Sequence, residues 1–135
     1  MKNIKVEDLM DRVFVKFKQD TPVRMVVETL DNKRLFGACV VDEEDRVLGI
    51  VSERKCIKLY QKALATRSVK PIEEATVKDV MYDDFSTIEK TAGVVRAAEI
   101  FIGTDFRRMP VVESGKLVGQ ITRRDILRAI ELFSM

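Results

Sequence analysis

The chain repeats itself. Val6-Glu7-Asp8-Leu9-Met10 returns as Val77-Lys78-Asp79-Val80-Met81, and Cys39-Val40-Val41-Asp42 returns as Pro110-Val111-Val112-Glu113, each shifted by 71 residues. Leu48-Gly49-Ile50-Val51-Ser52-Glu53-Arg54 recurs as Val118-Gly119-Gln120-Ile121-Thr122-Arg123-Arg124, shifted by 70. The lost residue lies in the connection between, where Glu43-Glu44-Asp45-Arg46 becomes Ser114-Gly115-Lys116. A repeat of this kind limits the fold to one supersecondary unit used twice.

The unit can be read from its periodicities. Thr21-Pro22 carries the N-cap and first-turn residues of a helix, and Val23, Val26, Val27 and Leu30 follow at i, i+3, i+4 and i+7. The second copy has Val94, Ala97, Ala98 and Phe101 at the same spacing. Each helix is followed by two short β-branched runs around a polar turn, Ala38 to Val41 with Val47 to Val51, then Met109 to Val112 with Leu117 to Ile121, which predicts hairpins. Ser52 and Thr122 open a second helix in each copy. Core-facing stripes are expected at Ile57, Tyr60 and Leu64 in one, and at Ile126, Ile130 and Phe133 in the other. The order is β-α-β-β-α, twice, and the class is α/β in the broad sense, with helices and small sheets mixed (α+β).

Ala65 to Ala75, with Pro71 and few apolar residues, reads as the linker. The repeats are therefore residues 1–70, including the start of the linker, and 71–135. At 135 residues the chain is too short for two ordinary independent domains, so one compact module is expected, its halves packed about a pseudo-two-fold axis.

Composition narrows function by exclusion. Lys and Arg number 24 against 22 Asp and Glu, a formal charge of +2, well short of a dedicated nucleic-acid binder. Cys39 and Cys56 are too few and too far apart for a disulfide framework or a zinc site, and no histidine completes a metal set. No Gly-x-Ser-x-Gly or Walker-type loop is present, so the usual nucleophile and phosphate-transfer constellations are missing and a non-enzyme is expected. The N-terminus has no apolar signal core and no run approaches a membrane span, which reads as a cytoplasmic protein with no membrane partner.

Three marks in order, the opening Val-x-Asp-hydrophobic-Met, then Arg107-Arg108-Met109-Pro110-Val111-Val112-Glu113, then Gly119-Gln120-Ile121-Thr122-Arg123-Arg124-Asp125, resemble the tandem cystathionine-β-synthase (CBS) pair, or Bateman module. The resemblance covers nearly the whole chain. It implies a regulatory module that senses an adenosine-containing ligand, AMP, ADP, ATP or S-adenosylmethionine, in clefts between the repeats, with the nucleotide as regulatory ligand and no cofactor. By that resemblance Asp125 takes the ribose hydroxyls and Thr122 the ribose or phosphate. Met81, Asp83 and Phe85, in the segment opening the second repeat, and Phe106, Arg107 and Met109 are implied around the base. Arg124, Arg54 and Arg108 are implied for the phosphates.

The residue chemistry supports this independently. A carboxylate has two acceptor oxygens to offer a vicinal diol, and a helix opened by Thr122 presents free N–H groups and a positive dipole end to an anion. Thr122-x-x-Asp125 is equally the spacing of a capping box, in which the two side chains satisfy backbone donors. The first copy departs from the pattern: Lys55 stands at the Asp position, behind Ser52, and a lysine accepts no hydrogen bond. That cleft is either empty, or takes a phosphate-rich ligand through Lys55 and Ser52, or serves packing alone.

Arg107, Arg108, Arg123, Arg124 and Arg128 make the second repeat locally basic, without the interleaved aromatics that stacking on single strands requires. Nucleic acid is not expected. Modules of this family usually dimerise through their helices, so a homodimer using residues such as Leu59, Leu132 and Met135 is expected, together with a separate effector protein or enzyme that receives the signal. The competing reading is a structural dimerisation or protein-interaction module whose nucleotide clefts are vestigial.

Overall fold

Two β-hairpins organise the computed structural model, which describes residues 3–134, Ser134 by its backbone alone. Met135 lies outside the described residues. The chain runs α1 (Val6–Leu9), β1 (Lys16–Phe17), α2 (Val23–Lys33), β2 (Gly37–Val41), β3 (Val47–Ser52), α3 (Glu53–Thr66), α4 (Lys70–Glu73), α5 (Val77–Val80), β4 (Met81–Tyr82), β5 (Ile88–Glu89), α6 (Val94–Gly103), β6 (Arg108–Glu113), β7 (Lys116–Thr122) and α7 (Arg123–Ser134). The expected β-α-β-β-α order is present twice, as β1-α2-β2-β3-α3 and β5-α6-β6-β7-α7.

In the second copy Glu113 pairs with Lys116 across Ser114 and Gly115, both at positive φ as a type I′ turn requires. The first-copy turn is longer. It is held by the Asp42 carboxylate, which accepts from the Glu44 and Arg46 amides, and it places Asp45 at φ 63°. Each hairpin gains a parallel strand at its outer edge: β1 beside β2, and β5 beside β6.

The chain divides into two compact units that do not follow its order. One unit comprises residues 1–14 and 85–135, the other residues 15–84. In the unit 15–84, β4 pairs antiparallel with β3 through Ile50–Tyr82 and Val51–Met81. In the other unit the matching bridge is Asp11 with Gln120, which are the repeat equivalents of Tyr82 and Ile50. The backbone bonds correspond in the same way. Val77 N and Val23 N donate to the oxygens of Thr21 and Ala75, just as Val6 N and Val94 N donate to those of Ala92 and Ile4. Each unit thus consists of one repeat's hairpin and helices closed by the other repeat's opening segment. Sequence repeat (1–70, 71–135) and compact unit are different partitions of the chain.

The opening segments enter the cores outright. Val6, Leu9 and Met10 join Ile88, Ala97, Phe101, Met109, Val111, Ile121 and Ala129, while Val77 and Val80 join Val23, Val26, Leu30, Ala38, Val40 and Val51. The acidic residue of Val-x-Asp-hydrophobic-Met is a helix cap in both copies. Asp8 accepts from the Lys5 amide and Asp79 from the Thr76 amide, each at 2.9 Å.

Several expectations are corrected. Helix α2 begins at Val23 with Pro22 in the cap position and no side-chain cap, so Thr21 does not cap it. Val27 is exposed while Val23, Val26 and Leu30 are buried. The largest correction concerns α3 and α7. Ile57, Tyr60 and Leu64 are 63, 56 and 59% exposed, and Ile130 and Phe133 are exposed as well. The buried faces of these helices carry smaller or shorter groups, Ala63 in α3 and Asp125 with Ala129 in α7, helped by half-buried Cys56, Leu59 and Ile126. Leu59, expected on the outside, packs against the core. The linker is not featureless either: Arg67, at φ 50°, ends α3 and Pro71 lies in the first turn of the single-turn helix α4.

Candidate functional site

The site in the unit 1–14/85–135 is built where β7 turns into α7. Gly119 lies in β7 where the opening segment crosses it, and a Cβ there would sit 2.7 Å from the Met10 sulfur and 2.9 Å from the Asp11 oxygen. Gly49 meets Tyr82 and Met81 in the same way. The glycine of the Gly-x-x-Thr/Ser mark is thus required by close backbone approach.

Three residues on, Thr122 opens α7, and Asp125 is the one charged residue buried among the described residues, 5% exposed. Its Oδ2 accepts from the Thr122 amide at 2.8 Å and from the Thr122 hydroxyl at 3.1 Å. The Asp125 amide donates to Thr122 Oγ1 at 3.3 Å. The capping box anticipated as an alternative is therefore present. The other carboxylate oxygen, Oδ1, accepts from the Arg128 guanidinium at 2.6 Å.

Arg123 holds the connection between α6 and β6 against the start of α7. Its guanidinium donates to the carbonyls of Phe106 at 2.8 Å and Thr104 at 3.1 Å, and its amide to that of Arg107. Phe106 and Arg108 are half-buried beside this start of α7, and Arg107 and Arg124 are exposed. Met109 has no exposed surface and belongs to the core.

The anticipated residues divide between the two units. Met81 and Asp83 belong to the unit 15–84, with Ser52, Arg54 and Lys55, while Phe85 begins the second segment of the unit that holds Asp125. The opening residues sharing Asp125's unit are Met10 to Val13, on which Asp11 bridges Gln120. The 71-residue offset marks Met10 to Val13 as equivalents of Met81 to Asp84, but an offset alone does not say which copy closes which unit.

In the unit 15–84, Ser52 caps α3 by accepting from the Lys55 amide at 3.2 Å. The Lys55 ammonium, half-buried, donates to the Met81 carbonyl at 2.7 Å. Lysine thus ties the opening segment down where the second copy has a carboxylate. Nearby Cys56 has its thiol pushed above the ordinary range, first by burial and second by Glu53. Along the exposed stripe of α3 runs an apolar groove of about 550 Å³ against α2, lined by Val23, Val27, Ile57 and Tyr60 among others. No three His, Cys, Asp or Glu among the described residues form a metal set, and no helix described is long and apolar enough to cross a membrane.

The family model for the CBS domain matches residues 6–62 and again 77–132. The chain belongs to the CBS domain family. Its CBS pair superposes on CBSX2 of Arabidopsis thaliana with a TM-score of 0.83 at 26% identity, covering 98% of each chain. A structure of CBSX2 in complex with AMP matches with a TM-score of 0.82 at 27% identity, covering 98% of this chain and 99% of that one. Among curated relatives, chloroplastic CBSX1 of the same plant is 31% identical over 83% of this chain and 57% of its own. The A-adding tRNA nucleotidyltransferase of Aquifex aeolicus is 29% identical over 95% of this chain but only 14% of its own, so the similarity there is to one part of a larger enzyme.

Proposed function

We propose that this CBS pair is a regulatory module that binds an adenine nucleotide through the start of α7 and performs no chemistry on it. The observation that carries the reading is Asp125, a buried carboxylate at the positive end of a helix, in a fold shared over 98% of the chain with the AMP complex of CBSX2. Asp125 takes the ribose diol, Thr122 the adjoining oxygens, and Arg124 and Arg108 the phosphate, with Arg107 beside the base. Phe106 and Phe85 flank the base, with Met10 to Val13 as the opening segment of this unit. Met81, Asp83, Ser52, Arg54 and Lys55 make up the counterpart site of the other unit, where the lysine leaves no acceptor for a ribose.

Titration calorimetry with AMP, ADP, ATP, S-adenosylmethionine and adenosine tests this directly. A ligand at one hundred times its dissociation constant stabilises the fold by about 2.7 kcal/mol, a shift of several degrees in melting temperature. Asp125→Ala should weaken the bound nucleotide at least about tenfold, since each lost charged hydrogen bond is worth ~1.5–3 kcal/mol. If none of the five ligands gives heat or moves the melting curve at millimolar concentration, the reading fails. ATP incubated with the protein should remain ATP.

A second reading has its own observation. The exposed apolar stripes of α3 and α7 present Ile57, Tyr60, Leu64, Leu127, Ile130 and Phe133 to solvent, and such stripes are the usual material of an interface. We propose a homodimer formed through these helices, with a separate effector reading the nucleotide-dependent state. Light scattering at high micromolar concentration should give twice the chain mass, and Ile57→Asp or Phe133→Asp should return it to the monomer.

A further inference from the structure

The Asp125 carboxylate is already fully engaged on one side. A carboxylate offers about four lone-pair positions over its two oxygens. Oδ2 spends two on the Thr122 amide and hydroxyl, and Oδ1 spends one on Arg128 at 2.6 Å. A vicinal diol brings two donors, and one open position remains. The capping bonds hold the first turn of α7 together, so the guanidinium is the partner that can leave. It is also the exposed one: the Arg128 side chain is 58% exposed, against 8% for Asp125, so released it passes into solvent at little cost. Side chains on a helix lean toward its N-terminus, so an Arg128 released from Asp125 remains aimed at the turn where an anion would sit.

We infer that Arg128 is a specificity-determining residue, a latch on the ribose carboxylate that favours nucleoside phosphates over the free nucleoside. A neutral nucleoside must displace the guanidinium and offers nothing in exchange. A nucleotide displaces it and supplies a phosphate for it to pair with, and guanidinium and phosphate match in geometry as well as charge. The first repeat has Lys55 and Lys58 at the positions of Asp125 and Arg128, so the latch belongs to one unit only. The inference rests on the nucleotide reading proposed above.

The test compares AMP with adenosine by calorimetry on the parent, Arg128→Met and Arg128→Lys. Arg128→Met should tighten adenosine several-fold and leave AMP no tighter, shrinking the preference for AMP by about tenfold or more, the value of one charged hydrogen bond. Arg128→Lys keeps a cation and should retain most of the preference. Because the ratio is taken within each protein, loss of stability cancels; if Arg128→Met does not fold, Arg128→Gln is read the same way. A preference that is unchanged in the neutral variant, or both ligands weakened equally, overturns the latch while leaving nucleotide binding in place. A parent that binds neither AMP nor adenosine overturns the nucleotide reading itself, and the latch with it.

Discussion

Gly119 and Asp125 show how differently single positions constrain the fold. At Gly119 a methyl group has nowhere to go, since the Met10 sulfur can move but the Asp11 carbonyl is main chain. Gly119→Ala should therefore cost about 1–3 kcal/mol, the range for forced overpacking. Gly103 is the control, because a methyl group there would meet nothing within 4 Å: Gly103→Ala should leave urea stability within about 0.5 kcal/mol of the parent. Cysteine reactivity gives a second check. Burial and Glu53 hold the Cys56 thiol protonated above its ordinary value of 9.0, so it should alkylate more slowly at pH 8 than a free cysteine, and buried Cys39 only on unfolding. Because the folded state holds that proton more tightly, the associated stability is complete below pH 9 and is lost as pH rises through the folded value. Urea midpoints measured from pH 8 to 10 should fall, and fall less in Cys56→Ala. At this scale the sequence was informative about residue type and silent about partner. The Thr122–Asp125 spacing admits a cap and a ligand site alike, and the cap is formed; Arg128, at i+3 from Asp125, is within reach of the second oxygen, but that spacing does not choose between the carboxylate and solvent for it.

Among the elements, the hairpins were the most legible because paired β-branched apolar runs mark the strands and, in the second copy, the Ser114-Gly115 turn sets their register. The outer helices were legible in extent but not in orientation. An apolar stripe at helical spacing says that a face is to be covered, not what covers it, and in α3 the stripe of Ile57, Tyr60 and Leu64 turns away from the unit's own core. The opening helices α1 and α5, four residues each, are shorter than any period can detect. Their attachment rests on few bonds, which makes Lys55 informative. Its ammonium holds the Met81 carbonyl at the β3–β4 edge. Lys55→Met should lower stability by about 1 kcal/mol and speed amide exchange along β4, leaving β2 and β3 protected. Unchanged exchange at Met81 and Tyr82 would show that the tie carries no weight.

At the scale of the whole chain, the exchange of opening segments makes a claim about folding that the sequence repeat does not. The fragments 1–70 and 15–84 are both seventy residues long and share most of their residues. Fragment 1–70 ends before α5 and β4, so it lacks Val77 and Val80 from its core and the strand that pairs with Ile50 and Val51. It also carries Val6 and Leu9, whose core partners lie after residue 85. Fragment 15–84 contains one entire compact unit and keeps its strand pairings β1–β2, β2–β3 and β3–β4. Losing two fully buried valines costs about 1.5–3 kcal/mol each in transferred apolar surface, which is most of what a unit of this size has to spare. Fragment 15–84 should therefore unfold cooperatively in urea while 1–70 shows a shallow, non-cooperative transition. Mixing 1–70 with 71–135 should restore a cooperative transition, because together they supply both opening segments to both hairpins. A fragment 1–70 that folds as well alone as 15–84 would mean that the opening segments decorate the units rather than complete them.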